Sequence, residues 1–399
     1  MSTDIRAIAF YLPQYHPVPE NDEWWGKGFT EWTNVTKAKP QFPGHYQPHL
    51  PSDLGFYDLR LPEARESQAD LAREYGIHGF CYYHYWFNGR RILEKPFNQV
   101  LESGKPDFPF CLCWANENWT RTWSGGHKDI LLEQHYNHDD DLAHIRSLIP
   151  AFRDPRYIKV NGKPLFLVYR SELLPDPAKT CELWREEARQ HGFDDLYIVR
   201  VESFVSDIEP SSCGFDAAIE FAPDWRNTGR SLFSTAWLKS LAQKKLFPAT
   251  LTENNIIDYD TLATTMMRKP EPTYTRFPGV TPSWDNSARR NKGATMLVNS
   301  TPDKYEQWLA NAANRATQDK SNTNNFVFIN AWNEWAEGNH LEPDQKWGHA
   351  YLKATLNALR KPTEARDSIR QTPYFLNTRL YIKYLYNRHI AWRFKSHSS

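Results

Sequence analysis

The chain has 399 residues, 40% of them hydrophobic, enough for a large buried core. Its 48 Lys and Arg balance 48 Asp and Glu, which removes the overall basic footprint expected of a nucleic-acid binder. Five cysteines in a chain this long do not make a disulfide framework, and no apolar run of about 18 residues is present to span a membrane.

The first apolar, β-branched and aromatic run, 5–11, predicts a strand. The decapeptide MSTDIRAIAF that contains its start has no basic stretch leading into an apolar one, so the expectation is a cytoplasmic protein with reduced thiols. A Pro-, Gly- and Trp-rich stretch, 18–58, follows; loops of that length are usually functional. Residues 62–75 open with Pro and acids and stop at Gly76, as a helix does. Strands are then predicted at 79–85, 110–114 and 165–169, a helix at 181–191, and strands at 196–201 and 217–221. A second insertion, 226–274, precedes a seventh strand near 277–282, a helix at 305–317 and an eighth strand at 326–331. Strands alternating with helices predict one parallel (β/α)₈ TIM barrel over 1–361 with long loops at its C-terminal face. An open doubly wound sheet is the alternative, but no Gly-rich phosphate turn follows the first strand. Residues 362–399 are a basic, aromatic extension, read either as a terminal helix packed on the barrel or as an arm for peripheral membrane contact.

Active sites of such barrels form at the C-terminal strand ends. Here those ends carry Tyr11, Gln14 and Tyr15; His84 and Trp86; Trp114, Asn116, Glu117, Asn118 and Trp119; Trp284 and Asn286; and Asn333 and Trp335. A single indole is more often core than site. Five strand ends sharing aromatics with amides and acids point to a sugar-binding cleft, because rings stack on sugar faces and polar groups read hydroxyls. The expected partner is therefore a polysaccharide or oligosaccharide, with oligomeric state left open.

The sharpest motif is NAWNEWAEG, 330–338. Glu334 and Glu337 lie three apart, so one helical turn would set both on one face, roughly 5–6 Å apart. Carboxylates that close hold one proton between them, as acid–base cleavage of a glycoside requires. An exposed turn with ordinary surface acids is the plain alternative, and the flanking Trp332 and Trp335 argue against it. Other signals are weaker. Cys111 and Cys113 share a strand face and read as buried thiols; His45 and His49 lie in a Pro-rich loop; Asp139, Asp140 and Asp141 precede a helix, where acids are favoured anyway. No metal or cofactor is expected. Glu31 reads equally as a cleft residue or a loop anchor.

The segments FYLPQYHP (10–17), WWGKGFTEWTNV (24–35), GFCYYHYWFNGRRILEKP (79–96), CWANENWTRTWSG (113–125), PSWDN (282–286) and WNEWAEG (332–338) resemble the WbsX-type, family-99-like proteins of bacterial polysaccharide loci, over nearly the whole chain. The last segment, with Glu342-Pro343 after it, is also similar to the catalytic segment of glycoside hydrolase family 99, the endo-α-mannosidases and endo-α-mannanases; Ala336 stands where those enzymes usually have histidine. The resemblance implies a retaining hydrolase in which the substrate's 2-hydroxyl attacks the anomeric carbon. Glu334 would deprotonate that hydroxyl, and Glu337 would protonate the leaving oxygen and then activate water. Such a displacement implies α-manno- or α-rhamno-type residues of an O-antigen- or capsule-like glycan. A glycosyltransferase of lipopolysaccharide biosynthesis and a non-catalytic carbohydrate-binding protein are the alternatives.

Overall fold

The computed structural model describes residues 5–121, 129–290, 292–318 and 324–360. The extension 362–399, with its membrane-contact reading, lies outside them. Among the described residues no helix is long and apolar enough to cross a membrane.

The barrel strands are β1 (Arg6–Tyr11), β2 (Ile77–Phe87), β3 (Phe110–Trp114), β4 (Lys163–Val168), β5 (Tyr197–Glu202), β6 (Ala217–Glu220), β7 in two pieces (Arg276–Phe277 and Gly279–Val280), and β8 (Phe326–Ile329). The ladder runs from β7 through β6, β5, β4, β3, β2 and β1 to β8 and returns to β7, parallel at every step. It is the predicted (β/α)₈ barrel.

The seventh strand is broken where the sequence pattern was least regular. Pro278 has no N–H to give to a ladder. The residues before it pair with β6 and those after it with β8, so the break is what joins the two edges. Gly279 makes the join sterically feasible: an added Cβ would sit 1.7 Å from the Glu220 carbonyl oxygen. Gly279→Ala is therefore expected to prevent barrel closure, leaving insoluble protein or a broad, early thermal transition; a soluble variant melting within about 2 °C of the parent would contradict this.

Helix Pro62–Glu74 starts on proline, and its end gives way to Gly76 at φ +82°. Helices Pro177–Gln190 and Pro302–Gln318 extend the predicted ones by a few residues. The 18–58 stretch contains two short helices, Pro19–Trp25 and Glu31–Lys37. The 226–274 insertion adds three helices and a strand, Asn255–Asp258, which pairs with Thr295–Val298.

The barrel interior is plugged by rings. Phe10 stacks on Tyr83 with centroids 5.5 Å apart and meets Phe221 edge-on at 5.5 Å; Tyr169 meets Phe221 at 5.2 Å. Beneath them Cys81, Cys111 and Cys113 are fully buried free thiols. This packed floor forces any ligand to the C-terminal mouth.

Candidate active site

A cavity of about 200 Å³ opens at that mouth, walled by Tyr83, Tyr85, Tyr169, Trp225 and Trp284 and bearing Glu117, Arg289, Glu334 and Glu337. Neighbouring depressions share its edges. Gln14 and Arg289 also line one that reaches Trp25 and Trp119, and Glu117 lines another bounded by Asn118 and Arg170. The mouth is thus a groove longer than one sugar ring.

Glu334 caps a single 3₁₀ turn, Trp335–Glu337, that follows β8. In a 3₁₀ turn positions i and i+3 eclipse, so both carboxyls are presented together. One guanidinium holds them: Arg289 Nη1 lies 2.6 Å from Glu337 Oε1, and Nη2 lies 3.5 Å from Glu334 Oε2 and 3.1 Å from Glu31 Oε2. Two buried carboxyls, Glu31 and Glu334, and the half-buried Glu337 therefore share one cation. Burial pushes Glu337 up to about 7, against the pull of Arg289. Burial and then the Glu337 charge push Glu334 further above the usual carboxylate range. With the closer cation contact on Glu337, the resting proton belongs on Glu334.

The turn is braced from behind. Tyr15 donates its hydroxyl to the Asn333 carbonyl at 2.5 Å, and the Trp335 amide donates to the same oxygen of Tyr15 at 3.2 Å. Asn333 clips onto both backbone groups of Leu12. Trp335 Nε1 donates to Glu342, which also accepts from Tyr57 and Gln68. On the other side the Asp285 amide donates to the Glu337 carbonyl at 2.5 Å, while Asp285 Oδ2 accepts from His45 at 2.6 Å. Gly338 follows the turn at φ +55°, against the Asp285 backbone, where a side chain would be doubly penalised.

Of the sequence-predicted site residues, the fold brings Gln14, Glu117, Trp284, Asn286, Glu334 and Glu337 to the cavity. Tyr15, Asn333 and Trp335 stand behind it as braces. Asn116 is buried and ties down the Arg170 backbone, Asn118 accepts from the Gln134 amide, and Trp119 packs with Tyr85 and Phe87. Four others face away. Tyr11 donates to Gln68 under the helix layer; His84 and Trp86 both stack on His144; and Trp114 packs on His144 and Trp184. The correction is one of parity. Side chains alternate along a strand, and on β2 the inward set is Cys81, Tyr83 and Tyr85, not His84 and Trp86. The small thiols at 81, 111 and 113 mark the crowded barrel interior and could have set the phase. Arg289 was missed altogether. It lies just after a short 3₁₀ turn, Asn286–Ala288, and no local pattern announces it. Glu31 is at the site through Arg289. Of the acids at 139–141, Asp139 is exposed, while the buried Asp140 accepts from Trp86 and Asp141 from Thr180.

A closed parallel barrel presents its candidate site at the C-terminal mouth, here a carboxylate pair in an aromatic groove. The family model described as Glycosyltransferase WbsX matches residues 7–355, and the chain belongs to that family. Relatives from two strains of Xanthomonas campestris pv. campestris, described as uncharacterized protein WxcX, are 44% identical over 362 residues. That is 91% of this chain but 50% of theirs, so the chain spans about half the length of the curated relatives it matches. Among solved structures, a glycoside hydrolase-like protein aligns at a TM-score of 0.55 with 14% identity, covering 89% of this chain and 94% of its own. A GH99 endo-alpha-mannosidase from Bacteroides thetaiotaomicron aligns at 0.51 with 15% identity, covering 89% and 96%. At these identities the likeness is one of fold.

Proposed function

We propose that the protein is a retaining glycoside hydrolase acting on α-linked manno- or rhamno-type residues of a bacterial polysaccharide, with Glu334 and Glu337 as its catalytic carboxylates. The observation that carries this reading is the Glu334–Arg289–Glu337 arrangement: a buried and a half-buried carboxyl on one turn, held by one guanidinium beside an aromatic groove. In the proposed reaction Glu334 takes the proton of the sugar's 2-hydroxyl as that oxygen attacks the anomeric carbon. Glu337 gives a proton to the departing glycosidic oxygen. Glu337 then takes a proton from water as it opens the bridged intermediate, and the 2-oxygen recovers its own from Glu334. These roles require the resting proton to move from Glu334 to Glu337 when substrate binds, a transfer that Arg289, touching both, is placed to assist.

The 2-hydroxyl test follows directly. A 2-deoxy analogue of an α-mannoside or α-rhamnoside substrate is expected to bind yet not turn over, whereas efficient cleavage of the deoxy sugar would refute participation by that hydroxyl. The pH profile has a definite sign. Burial raises both carboxyls, so the doubly protonated pair dominates on the acid side, and one proton must leave before a base exists. We therefore expect kcat/KM to rise with pH through about 7 and to fall again at the higher pH where the second proton departs. A rate that is flat or declining from acid to neutral pH would contradict a working pair.

The family description favours a second reading, glycosyl transfer. It is separated by donor use: a transferase binds a nucleoside diphosphate and is silent without a nucleotide sugar, whereas the hydrolase needs water alone.

A further inference from the structure

Beyond the carboxylate turn the chain continues through a short hairpin, Asn333–Glu334 paired with Asn339–His340, to Asp344. There three side chains with ligand atoms converge: His49 from the loop after β1, His340, and Asp344. All three are buried, and their ligand atoms lie within 4.8 Å of one another. His49 Nδ1 is 3.0 Å from His340 Nε2, which is 3.9 Å from Asp344 Oδ2.

The surroundings settle which atoms are available. His340 Nδ1 lies 2.9 Å from the Glu342 carbonyl oxygen, which can only accept, so Nδ1 carries the hydrogen and Nε2 offers its lone pair to the cluster. An imidazole whose far N–H is anchored on a carbonyl is the usual outer arrangement of a metal ligand. Asp344 Oδ1 accepts from the amides of Lys346 and Trp347, leaving Oδ2 for the cluster. The nearby Lys346 ammonium is spread over the rings of Tyr46 and Trp347, at 4.5 and 4.9 Å.

We propose that His49, His340 and Asp344 bind one divalent ion of the zinc class. Two imidazoles and a carboxylate suit a borderline-soft ion; magnesium and calcium demand oxygen ligands. A cavity of about 220 Å³, which includes Tyr46, Asp285 and Trp347 in its wall, leaves a fourth position for water. The ion would cross-link the long first loop to the segment carrying the two glutamates. His340 stacks on Trp335 at 3.7 Å, so the link reaches the turn that presents Glu334 and Glu337. The role is positional, and it stands or falls independently of the hydrolase reading.

The experiment uses the full chain, dialysed against chelator and titrated with ZnCl₂ by calorimetry, with metal content measured after desalting. One zinc per chain with a Kd in the micromolar range or tighter is expected, with a rise in Tm of about 5 °C at saturating zinc and none with MgCl₂. Co²⁺ should give tetrahedral absorption without a thiolate charge-transfer band, which excludes the five cysteines. His49→Ala should weaken binding at least about tenfold. Asp344→Asn should do the same while keeping a carbonyl oxygen for the two amides, and so serves if the histidine variant fails to fold. No zinc uptake, or uptake undiminished in a folded variant, would leave the two imidazoles as a hydrogen-bonded pair and overturn the proposal.

Discussion

Glu337→Gln and Glu334→Gln are each expected to lower turnover by about 10³-fold or more while leaving glycan affinity nearly unchanged. Each substitution keeps the shape of the side chain and removes its capacity to exchange a proton. The stability change should run the other way. Three carboxyls crowd one cation at this site, so removing one relieves repulsion, and both variants should melt at or above the parent's Tm. Lost rate combined with retained or gained stability distinguishes a catalytic group from a structural one. Loss of binding, or a fall in Tm of several degrees, would mean that these side chains support the turn and do not perform chemistry.

Arg289→Met should have the largest effect on the fold near the site. It leaves the buried Glu31 and Glu334 and the half-buried Glu337 without the guanidinium that holds them, and breaking a buried ion pair by removing one partner costs about 3–5 kcal/mol. Protonation of the stranded acids recovers part of that, so the deficit should be greatest at alkaline pH and smaller in acid, as the pushed-up carboxyls regain their protons. Activity should collapse as well, because the resting proton loses its bias between the two glutamates. Arg289→Lys should be intermediate: it keeps the charge but loses the fork that spans three acids at once. A methionine variant with the parent's pH–stability curve would show that Arg289 does not carry this load.

The barrel and its chemistry were unequally legible in the sequence. Strand runs such as 110–114 and 326–329 are apolar throughout because parallel barrel strands are covered on both sides. That same feature hides their phase. With no polar face to mark the outside, the β2 rings can be read either way: the sequence places His84 and Trp86 among the site candidates, and the fold turns Tyr83 and Tyr85 inward. The carboxylate pair was visible because both members lie in one motif, three residues apart. Arg289 was not, since its partners are 45, 48 and 258 residues away and only the folded barrel brings them together. The braces were half visible. Tyr15, Asn333 and Trp335 stand out as unusual residues, yet residue type alone does not separate a side chain that touches a ligand from one that holds its neighbour.

The most direct test of the central claim is product analysis. Purified protein, with no nucleotide sugar added, is incubated with defined α-mannans, α-rhamnans and O-antigen polysaccharides, and new reducing ends and their first-formed anomer are followed by proton NMR. The account predicts release from a glycan of this class with retained α configuration, and none from the Glu337→Gln variant. Release that is equal in that variant, inverted in configuration, or dependent on a nucleotide-sugar donor would contradict it.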